Sequence, residues 1–246
     1  MQKPILATWA FNQNFGDMLT WWFLRRHGVA RVDPGHAAPH ILGVGSILSW
    51  SSPQSIVMGS GIGNADDRVE KPLEVHLVRG PLSAAKLGYT GVIGDPCLAL
   101  PYLVEPAKER HGVGVIPHYV DTPHLAFHES VTVIDIMAPV KEVIATVTSC
   151  ECVVSSSLHG LILADAYGIP CELARSPRLC GDGSKFEDHF LAVGGDRGIP
   201  LAVESLSDTA DHLRSRITGR SPRFSSQDIL KAVLAAIHSL EDKSNV

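Results

Sequence analysis

The sequence predicts an α/β fold of two Rossmann-like domains, and three observations support this prediction. Short apolar runs recur along the 246 residues without a clean alternation of apolar and polar positions, which is typical of parallel strands covered on both faces. Most runs are followed by a loop rich in Gly, Asn, Asp or Ser and then by a helical stretch, which indicates βαβ units. The pattern breaks once, near 101–111. We therefore expect an N-terminal domain over 1–104, a C-terminal domain over 110–200 and a C-terminal helical extension over 201–246.

The strands are predicted from short apolar runs that end at turn-forming residues. Because such runs carry few charges, we expect the strands to lie inside the two domains with helices on both faces. The predicted strands are 5–9, 40–44, 55–58, 74–78, 91–93, 113–116, 130–134 and 152–155.

The helices are predicted between and after these strands, and their ends are visible in the sequence. Gly28 and Gly88 each follow a helical stretch, where glycine commonly ends a helix, and Pro81 suits a first turn. Ser225 and Asp228 resemble a capping box and precede an apolar stripe, so we expect this last helix near the junction of the two domains. The predicted helices are 18–27, 81–87, 139–147, 158–167 and 225–240.

Composition excludes several classes of protein. With 45% hydrophobic and 19% charged residues the chain can form a core, which excludes intrinsic disorder. The formal net charge is −5 and no basic run is present, so nucleic acid is not an expected partner. We expect a cytoplasmic protein without a transmembrane segment, because no apolar run approaches about 20 residues and no signal-peptide pattern begins the chain. The five cysteines include no CxxC pair, which argues against a disulfide scaffold and a zinc ribbon.

Three serines followed by a histidine form the most informative segment. Ser155, Ser156 and Ser157 end a predicted strand, and the next helix is predicted to begin at Leu158 with His159 in its first turn. The serine hydroxyls can cap this helix, while its free N–H groups and positive dipole end create an anion site. Ligands of open α/β sheets bind at the carboxyl ends of strands, where this segment lies. The alternative interpretation is a serine cap beside a surface histidine.

The first strand–helix junction carries many hydrogen-bonding groups. Asn12 and Asn14 offer donors and acceptors, which suit a ligand rich in hydroxyls. Gly16 permits a tight turn, and Asp17 can cap a helix that starts at Met18. A polar turn without a ligand is the alternative.

Weaker candidates follow other predicted strands. Arg79 and His118 each stand just after a strand end, where a ligand can reach them. The glycine-rich turns at 43–46 and 59–63 match neither a dinucleotide fingerprint nor a P-loop, and a structural turn is the favoured interpretation of each. The absence of GxSxG gives no support for an α/β-hydrolase.

Taken together, these segments resemble the polysaccharide pyruvyl transferase family, and in particular the branch that adds ketal-linked pyruvate to bacterial exopolysaccharides. The resemblance implies a two-domain fold like that of GT-B glycosyltransferases, with the acceptor on the N-terminal domain and the donor, phosphoenolpyruvate, on the C-terminal domain. The supporting motifs occur in family order: Asn-Phe-Gly-Asp at 14–17, Val-Arg-Gly-Pro-Leu-Ser at 78–83, Gly-Asp-Pro at 94–96, Ser-Leu-His-Gly at 157–160 with Gly-Ile-Pro at 168–170, and Lys-Phe-Glu-Asp-His-Phe at 185–190.

One departure from the family pattern is informative. Many members carry Arg-Leu-His at the helix start, whereas Ser157 stands at the arginine position here. The resemblance therefore transfers the histidine alone, which makes His159 the expected catalytic acid; histidine suits this role because its usual pKa of about 6.5 lies near working pH. The missing charge must come from another cation or from the helix N-terminus. The expected donor-binding residues are Arg79, His118, Ser156, Ser157, Leu158 and Lys185, and the expected acceptor-binding residues are Asn14 and Asp17.

The expected function is transfer of pyruvate from phosphoenolpyruvate, used as a co-substrate, to a saccharide acceptor. We expect no cofactor and no metal, a lipid-linked acceptor, and peripheral contact with the inner membrane. Two alternatives stay open: a GT-B glycosyltransferase that uses a nucleotide sugar, and a non-catalytic carbohydrate- or anion-binding module, for which Ser157 leaves room.

Overall fold

Two parallel β-sheets form the frame of the protein. The computed structural model describes residues 4–195, 199–219 and 221–244, and within them each sheet has five strands. The residues 1–3, 196–198, 220 and 245–246 of the expected domains lie outside the described residues. The first sheet contains β1 (Ile5–Thr8), β2 (Val29–Arg31), β3 (His40–Leu42), β4 (Ser55–Met58) and β5 (Glu74–Leu77). The second contains β6 (Val113–Ile116), β7 (Val131–Val133), β8 (Cys152–Ser155), β9 (Cys171–Arg175) and β10 (Leu201–Ala202).

The two sheets share one strand order. The first reads β2-β1-β3-β4-β5 and the second reads, from its other edge, β7-β6-β8-β9-β10. When the strands of each sheet are numbered along the chain, both orders are 2-1-3-4-5, the flavodoxin-like arrangement of a doubly wound sheet. In such a sheet the chain adds strands first on one side of the first strand and then on the other. This switch lies between the first and third strands, which here are β1 and β3, and β6 and β8. Each sheet therefore opens a crevice for ligands at that point.

Helices cover both sheets, and some of them carry residues that lie between the two sheets. The helix α4 is buried on nearly all sides, because its residues from Leu158 to Asp165 are all buried. A 3₁₀ helix at Pro96–Tyr102 packs against α4 on one side and α7 on the other. The helices are α1 (Phe15–Leu24), α2 (Pro81–Leu87), α3 (Val140–Thr148), α4 (Leu158–Ala166), α5 (Ser184–Ala192), α6 (Ala210–Arg216) and α7 (Ser226–Ser244).

The C-terminal helix α7 returns to the first sheet. It packs against β4, β5 and the 3₁₀ helix, and buries Ile229, Val233 and Ile237 there. Its end is held by polar contacts, among them a 2.9 Å contact between His27 Nδ1 and Glu241 Oε1. The chain thus crosses back to its N-terminal half after completing the second sheet.

Most strand predictions are confirmed, and the exceptions have physical reasons. The run 91–93 is wrong as a strand, because it makes a single bridge between Ile93 and Val78. The sequence did not indicate β2, β9 and β10. The strands β2 and β9 include charged side chains such as Glu172, and β10 has only two residues. The predicted domain limits stay predictions.

Candidate active site

A cleft of about 310 Å³ lies at the carboxyl ends of both sheets, where their two crevices face each other. It is lined by loops that follow the first and third strands of each sheet, and by the segment after β9. Its lining includes Asn12 and Asn14 after β1, Gly45 and Ser46 after β3, His118 and Tyr119 after β6, Ser157 and His159 after β8, and Arg178 and Lys185 after β9.

The first of these loops ends in a cap that differs from the predicted one. Asn14, not Asp17, caps α1: its Oδ1 accepts a hydrogen bond from the Asp17 N–H at 3.1 Å. The helix begins at Phe15, earlier than predicted, so Asp17 lies in its first turn. The Asn14 amide also donates to Asp17 Oδ2 at 2.7 Å. Burial raises the pKa of the Asp17 carboxyl, while His159 and the Asn14 hydrogen bond act in the opposite direction.

The helices α1 and α4 meet at a glycine. A Cβ atom on Gly16 would lie 2.0 Å from His159 Nδ1, so a side chain at this position would displace the imidazole. The N–H of Phe15 donates to the carbonyl of Ile136 at 2.8 Å, which ties α1 to the loop after β7. Gly16 is therefore a point of close approach between the two halves of the molecule.

The three serines before α4 have different environments. Ser157 occupies the N-cap position and lines the cleft, but its hydroxyl makes no capping bond, contrary to the predicted serine cap. Ser155 Oγ accepts from the Ser157 N–H at 3.0 Å, and the fully buried Ser156 accepts from the His118 N–H at 2.8 Å. Because Leu161 makes the first intrahelical bond, to Ser157, the preceding N–H groups are available to an anion.

His159 faces a buried carboxylate. Its Nε2 lies 3.4 Å from Asp95 Oδ2, and neither atom has a hydrogen-bond partner among the described residues. The other oxygen of Asp95 accepts from the Cys97 N–H at 2.9 Å and caps the 3₁₀ helix. Asp95 is fully buried and His159 is 8% exposed, so both atoms are shielded from bulk water.

The second sheet supplies positive charge to the cleft. Arg178 and Lys185 both line it. Arg178 Nη1 lies 3.7 Å from Asp121 Oδ1, and the buried Asp121 also accepts from Ser156 Oγ at 2.7 Å. Burial lowers the pKa of Lys185, and the nearby Arg79 acts in the same direction.

His118 lines the cleft but carries no charge at neutral pH. Burial lowers the pKa of His118 to about 4, with Lys185 adding to this effect. The ring therefore stays neutral in most buffers, and His118 does not replace the charge that the family arginine would bring at position 157.

Arg79 points away from the cleft. Its side chain is fully buried, and its guanidinium donates to Asp188 Oδ2 from Nε at 3.2 Å and from Nη2 at 3.1 Å. It also donates to Ser46 Oγ at 2.8 Å and to the carbonyl of Ile62. These groups occupy the guanidinium of Arg79, and the expectation that Arg79 binds the donor stays a prediction. Among the expected donor residues, Ser157, Leu158, His118 and Lys185 reach the cleft, and Ser156 lies behind it.

The sequence did not single out Arg178, Asp95 or Ser46 as site residues. Arg178 follows β9, so recognising that strand would have placed the arginine at a carboxyl end. Asp95 lies within the family motif at 94–96, but its contact with His159 joins segments 64 residues apart and leaves no local signal.

Within the part of the chain that the structure describes, no cluster of three or more His, Cys, Asp or Glu side chains could hold a metal ion. No helix in this part is both long and apolar enough to cross a membrane.

A family model described as Polysaccharide pyruvyl transferase matches residues 51–171. These residues, just under half of the chain, are similar to that family. The matched part includes Asp95, His118, Ser157 and His159, whereas Asn14, Asp17, Arg178 and Lys185 lie outside it.

Two curated proteins show similarity to this chain. Uncharacterized protein L143 of Acanthamoeba polyphaga mimivirus is 33% identical over 177 residues, which cover 65% of this chain and 62% of that protein. Succinoglycan biosynthesis protein ExoV of Rhizobium meliloti is 30% identical over 175 residues, which cover 64% of this chain and 54% of ExoV. The chain thus matches less than two thirds of the length of either relative. A crystal structure of a functionally uncharacterized protein from Klebsiella pneumoniae is 14% identical with a TM-score of 0.41, and the match covers 76% of this chain and 87% of that one.

Proposed function

We propose that the protein transfers pyruvate from phosphoenolpyruvate to a sugar of a bacterial polysaccharide, where it forms a ketal. The observation that carries this proposal is the cleft itself. One cleft combines a shielded histidine whose Nε2 has no hydrogen-bond partner among the described residues, a helix N-terminus with two cations, and a loop of hydrogen-bonding side chains. The match of residues 51–171 to the pyruvyl transferase family and the similarity to a succinoglycan biosynthesis protein support the same reaction.

The donor occupies the side of the cleft formed by the second sheet. Its phosphate lies at the start of α4, where the N–H groups of Leu158, His159 and Gly160 precede the first intrahelical bond. Its carboxylate pairs with Arg178 or Lys185, since both cations line the same wall. Arg178 thereby supplies the charge that Ser157 lacks.

The reaction needs an acid, two sugar hydroxyls and a leaving phosphate. His159 gives a proton to the methylene carbon of phosphoenolpyruvate, which makes C2 electrophilic. One hydroxyl oxygen bonds to C2 and its proton returns to His159. The C–O bond to phosphate then breaks, the second hydroxyl oxygen bonds to C2, and the proton of that hydroxyl leaves with the phosphate. The products are the cyclic ketal and inorganic phosphate. Positive charge on Arg178 and Lys185 stabilises the phosphate as it departs.

The acceptor occupies the side formed by the first sheet. Asn14 and Asp17 already form a hydrogen-bonded pair at this wall, and Asn12 is exposed beside them. Carboxylate and amide groups bind sugar hydroxyls well, because the carboxylate accepts from a hydroxyl while the amide can both donate and accept. Asp17 lies close enough to His159 to influence it electrostatically, so an acceptor hydroxyl held here is near the proton donor.

An apolar groove beside the acceptor loop supports a lipid-linked acceptor. The groove has a volume of about 510 Å³ and contains the exposed side chains of Trp21 and Met137. Gln13 lies in the groove while its neighbours Asn12 and Asn14 lie in the cleft, so the two cavities share a wall. The described lining includes Arg25 and Lys141 and no carboxylate, which suits an anionic lipid. We infer that the protein works in the cytoplasm at the inner membrane, with its domains arranged as in GT-B enzymes.

The proposal is tested with phosphoenolpyruvate and a panel of synthetic and lipid-linked oligosaccharides. We expect phosphate release together with an acid-labile pyruvyl group on the sugar. His159→Gln keeps a hydrogen-bond donor but cannot deliver a proton at neutral pH, so turnover should fall about 10²–10⁴-fold while the Kd for phosphoenolpyruvate stays within a few-fold. The exposed His111→Gln is the matched control and should retain activity. Near-normal turnover of His159→Gln would remove His159 from the role of acid.

Thermal shift separates the proposal from its alternatives. We expect phosphoenolpyruvate to raise the Tm of the protein, since a ligand that binds the folded state stabilises it. Stabilisation by a UDP- or GDP-sugar and not by phosphoenolpyruvate would favour a glycosyltransferase instead. Binding of phosphoenolpyruvate and saccharide without turnover would indicate a binding module.

A further inference from the structure

We infer that Asp95 is a positioning residue for His159: its buried carboxylate receives the Nε2 proton and leaves Nδ1 as the nitrogen that exchanges protons with substrate. This inference rests on the proposed function, in which His159 moves protons. It assigns a role to the Gly-Asp-Pro motif at 94–96, which is otherwise a turn before the 3₁₀ helix at Pro96–Tyr102.

Two unpartnered atoms that face each other are the first observation. Buried polar atoms in folded proteins are nearly always hydrogen-bonded, so each exception calls for an explanation. Asp95 Oδ2 and His159 Nε2 are such exceptions within the described residues, and they lie 3.4 Å apart. A shift of about half an ångström would bring them to hydrogen-bond distance, and catalytic hydrogen bonds commonly tighten when substrate binds.

The ring is held in this orientation from its other side. His159 Nδ1 and Cε1 lie against Gly16, where even a Cβ atom would be 2.0 Å from Nδ1. Asp95 therefore lies beside Nε2, and Gly16 lies beside Nδ1. The ionisable groups whose charges act on the site from neighbouring elements are Asp17 on α1 and His118 after β6.

The carboxylate is itself fixed. Its Oδ1 accepts from the Cys97 N–H at 2.9 Å, and the side chain is fully buried. A fixed carboxylate selects the tautomer in which Nε2 carries hydrogen, and it stabilises the imidazolium that exists before proton donation, as the third member of a catalytic triad does. No proton needs to reach Asp95, because Nε2 keeps its hydrogen throughout.

The test uses Asp95→Asn, which retains an oxygen for the Cys97 N–H but places an amide opposite Nε2. We expect kcat to fall about 10²-fold or more while the KM for phosphoenolpyruvate changes by less than about threefold. Asp135→Asn is the matched control, because Asp135 Oδ1 accepts the N–H two residues on, from Met137, at the same 2.9 Å, yet its side chain is exposed. It should leave kcat unchanged.

A spectroscopic measurement keeps the inference testable even if Asp95→Asn folds poorly. In ¹⁵N-histidine-labelled wild-type protein, the resonances of His159 are assigned by their loss in His159→Gln. We expect the Nε2–H tautomer in the wild-type protein and its loss in Asp95→Asn. An Nδ1–H tautomer in the wild-type protein, or a kcat within about threefold of wild type for Asp95→Asn, would overturn the inference.

The outcomes also separate this inference from the proposed function. If His159→Gln is inactive and Asp95→Asn is fully active, the role of Asp95 is wrong and the pyruvyl transfer chemistry stands. If the wild-type protein releases no phosphate with any acceptor while the tautomer changes as expected in Asp95→Asn, the pairing is correct and the proposed reaction is wrong.

Discussion

Two buried aspartates, Asp188 and Asp95, each face a basic side chain from a distant segment, and they differ in how fully they are satisfied. Asp188 accepts hydrogen bonds from Arg79 and from both the N–H and the hydroxyl of Ser83, at 2.6–3.2 Å. Asp95 faces His159 at 3.4 Å with one oxygen unpartnered among the described residues. A fully bonded pair resists change, whereas an incompletely bonded pair retains capacity for a substrate or a proton. The first pair is therefore structural, and the second belongs to the site.

The two pairs are mechanically connected through α5. Asp188 on α5 fixes the start of α2, and the next residue, His189, bonds Asp165 on α4 at 2.7 Å. The same α4 carries His159 at its first turn. The Arg79–Asp188 pair thus helps to fix α4, which carries His159. A substitution in that pair should change stability, whereas a substitution that disturbs the Asp95–His159 pair should change turnover.

The largest expected effect is on stability, from Arg79→Met. Removing one member of a buried ion pair leaves an uncompensated charge, which costs about 3–5 kcal/mol of unfolding free energy. Urea unfolding measures this loss. The double variant Arg79→Met/Asp188→Asn should regain part of the lost unfolding free energy. The uncompensated charge is then absent, while the amide oxygen at position 188 still accepts from Ser83. By comparison, Asp95→Asn should change the unfolding free energy by about 1 kcal/mol or less. If Arg79→Met lowers the unfolding free energy by less than about 1 kcal/mol, the structural role of the Arg79–Asp188 pair is contradicted.

The next effect is on turnover, from Gly16→Ala. The added Cβ would lie 2.0 Å from His159 Nδ1, so the imidazole must move. A displacement of about 1 Å can cost about 10²-fold in rate, and we expect kcat to fall by this factor. Gly63→Ala is the control, because the nearest atom to its Cβ would be at 3.5 Å, an ordinary contact. Equal kcat values for the two variants would show that His159 does not depend on this packing.

A smaller effect is expected on donor binding, from Arg178→Ala. Loss of one charge-assisted hydrogen bond should raise the KM for phosphoenolpyruvate about tenfold, with kcat affected less. The KM of Arg178→Lys should lie between those of Arg178→Ala and the wild type, because lysine keeps the positive charge but lacks the planar guanidinium. The exposed Arg68→Ala tests for a general effect of lost charge and should leave KM unchanged. An unchanged KM for Arg178→Ala would transfer the role to Lys185.

The last expected effect is a pH dependence of stability that arises from His118. Its folded pKa of about 4 lies below the usual value of 6.5, so between these pH values the unfolded chain binds a proton that the folded protein does not. The stabilisation that neutral His118 contributes to the folded protein is therefore fully present above pH 6.5, and it decreases as the pH is lowered towards 4. Urea unfolding across this range should show a shallower slope for His118→Asn than for the exposed control His124→Asn. Identical slopes would contradict the lowered pKa.

Local patterns account for what could be predicted from the sequence. The apolar runs of β4, β6 and β8 and the proline and glycine that bound α2 act over a few residues, and the structure confirms them. The start of α1 was predicted too late, because Asn14 and Asp17 are both good caps and the choice depends on where the chain leaves β1. The strand β9 was missed because tertiary burial overrides the low strand preference of Glu172.

The sequence by itself determined that strand ends would carry Ser157, His159 and the asparagines of the first loop, since the carboxyl edge of a parallel sheet follows from strand direction alone. Only the tertiary structure decided which way a side chain turns from such an edge. Arg79 stands at a strand end but turns to Asp188, 109 residues further along the chain, whereas Arg178 turns into the cleft. The contact between His159 and Asp95 likewise depends on how two sheets pack, because pairing of buried charges is set by the low dielectric of the assembled interior and not by local sequence.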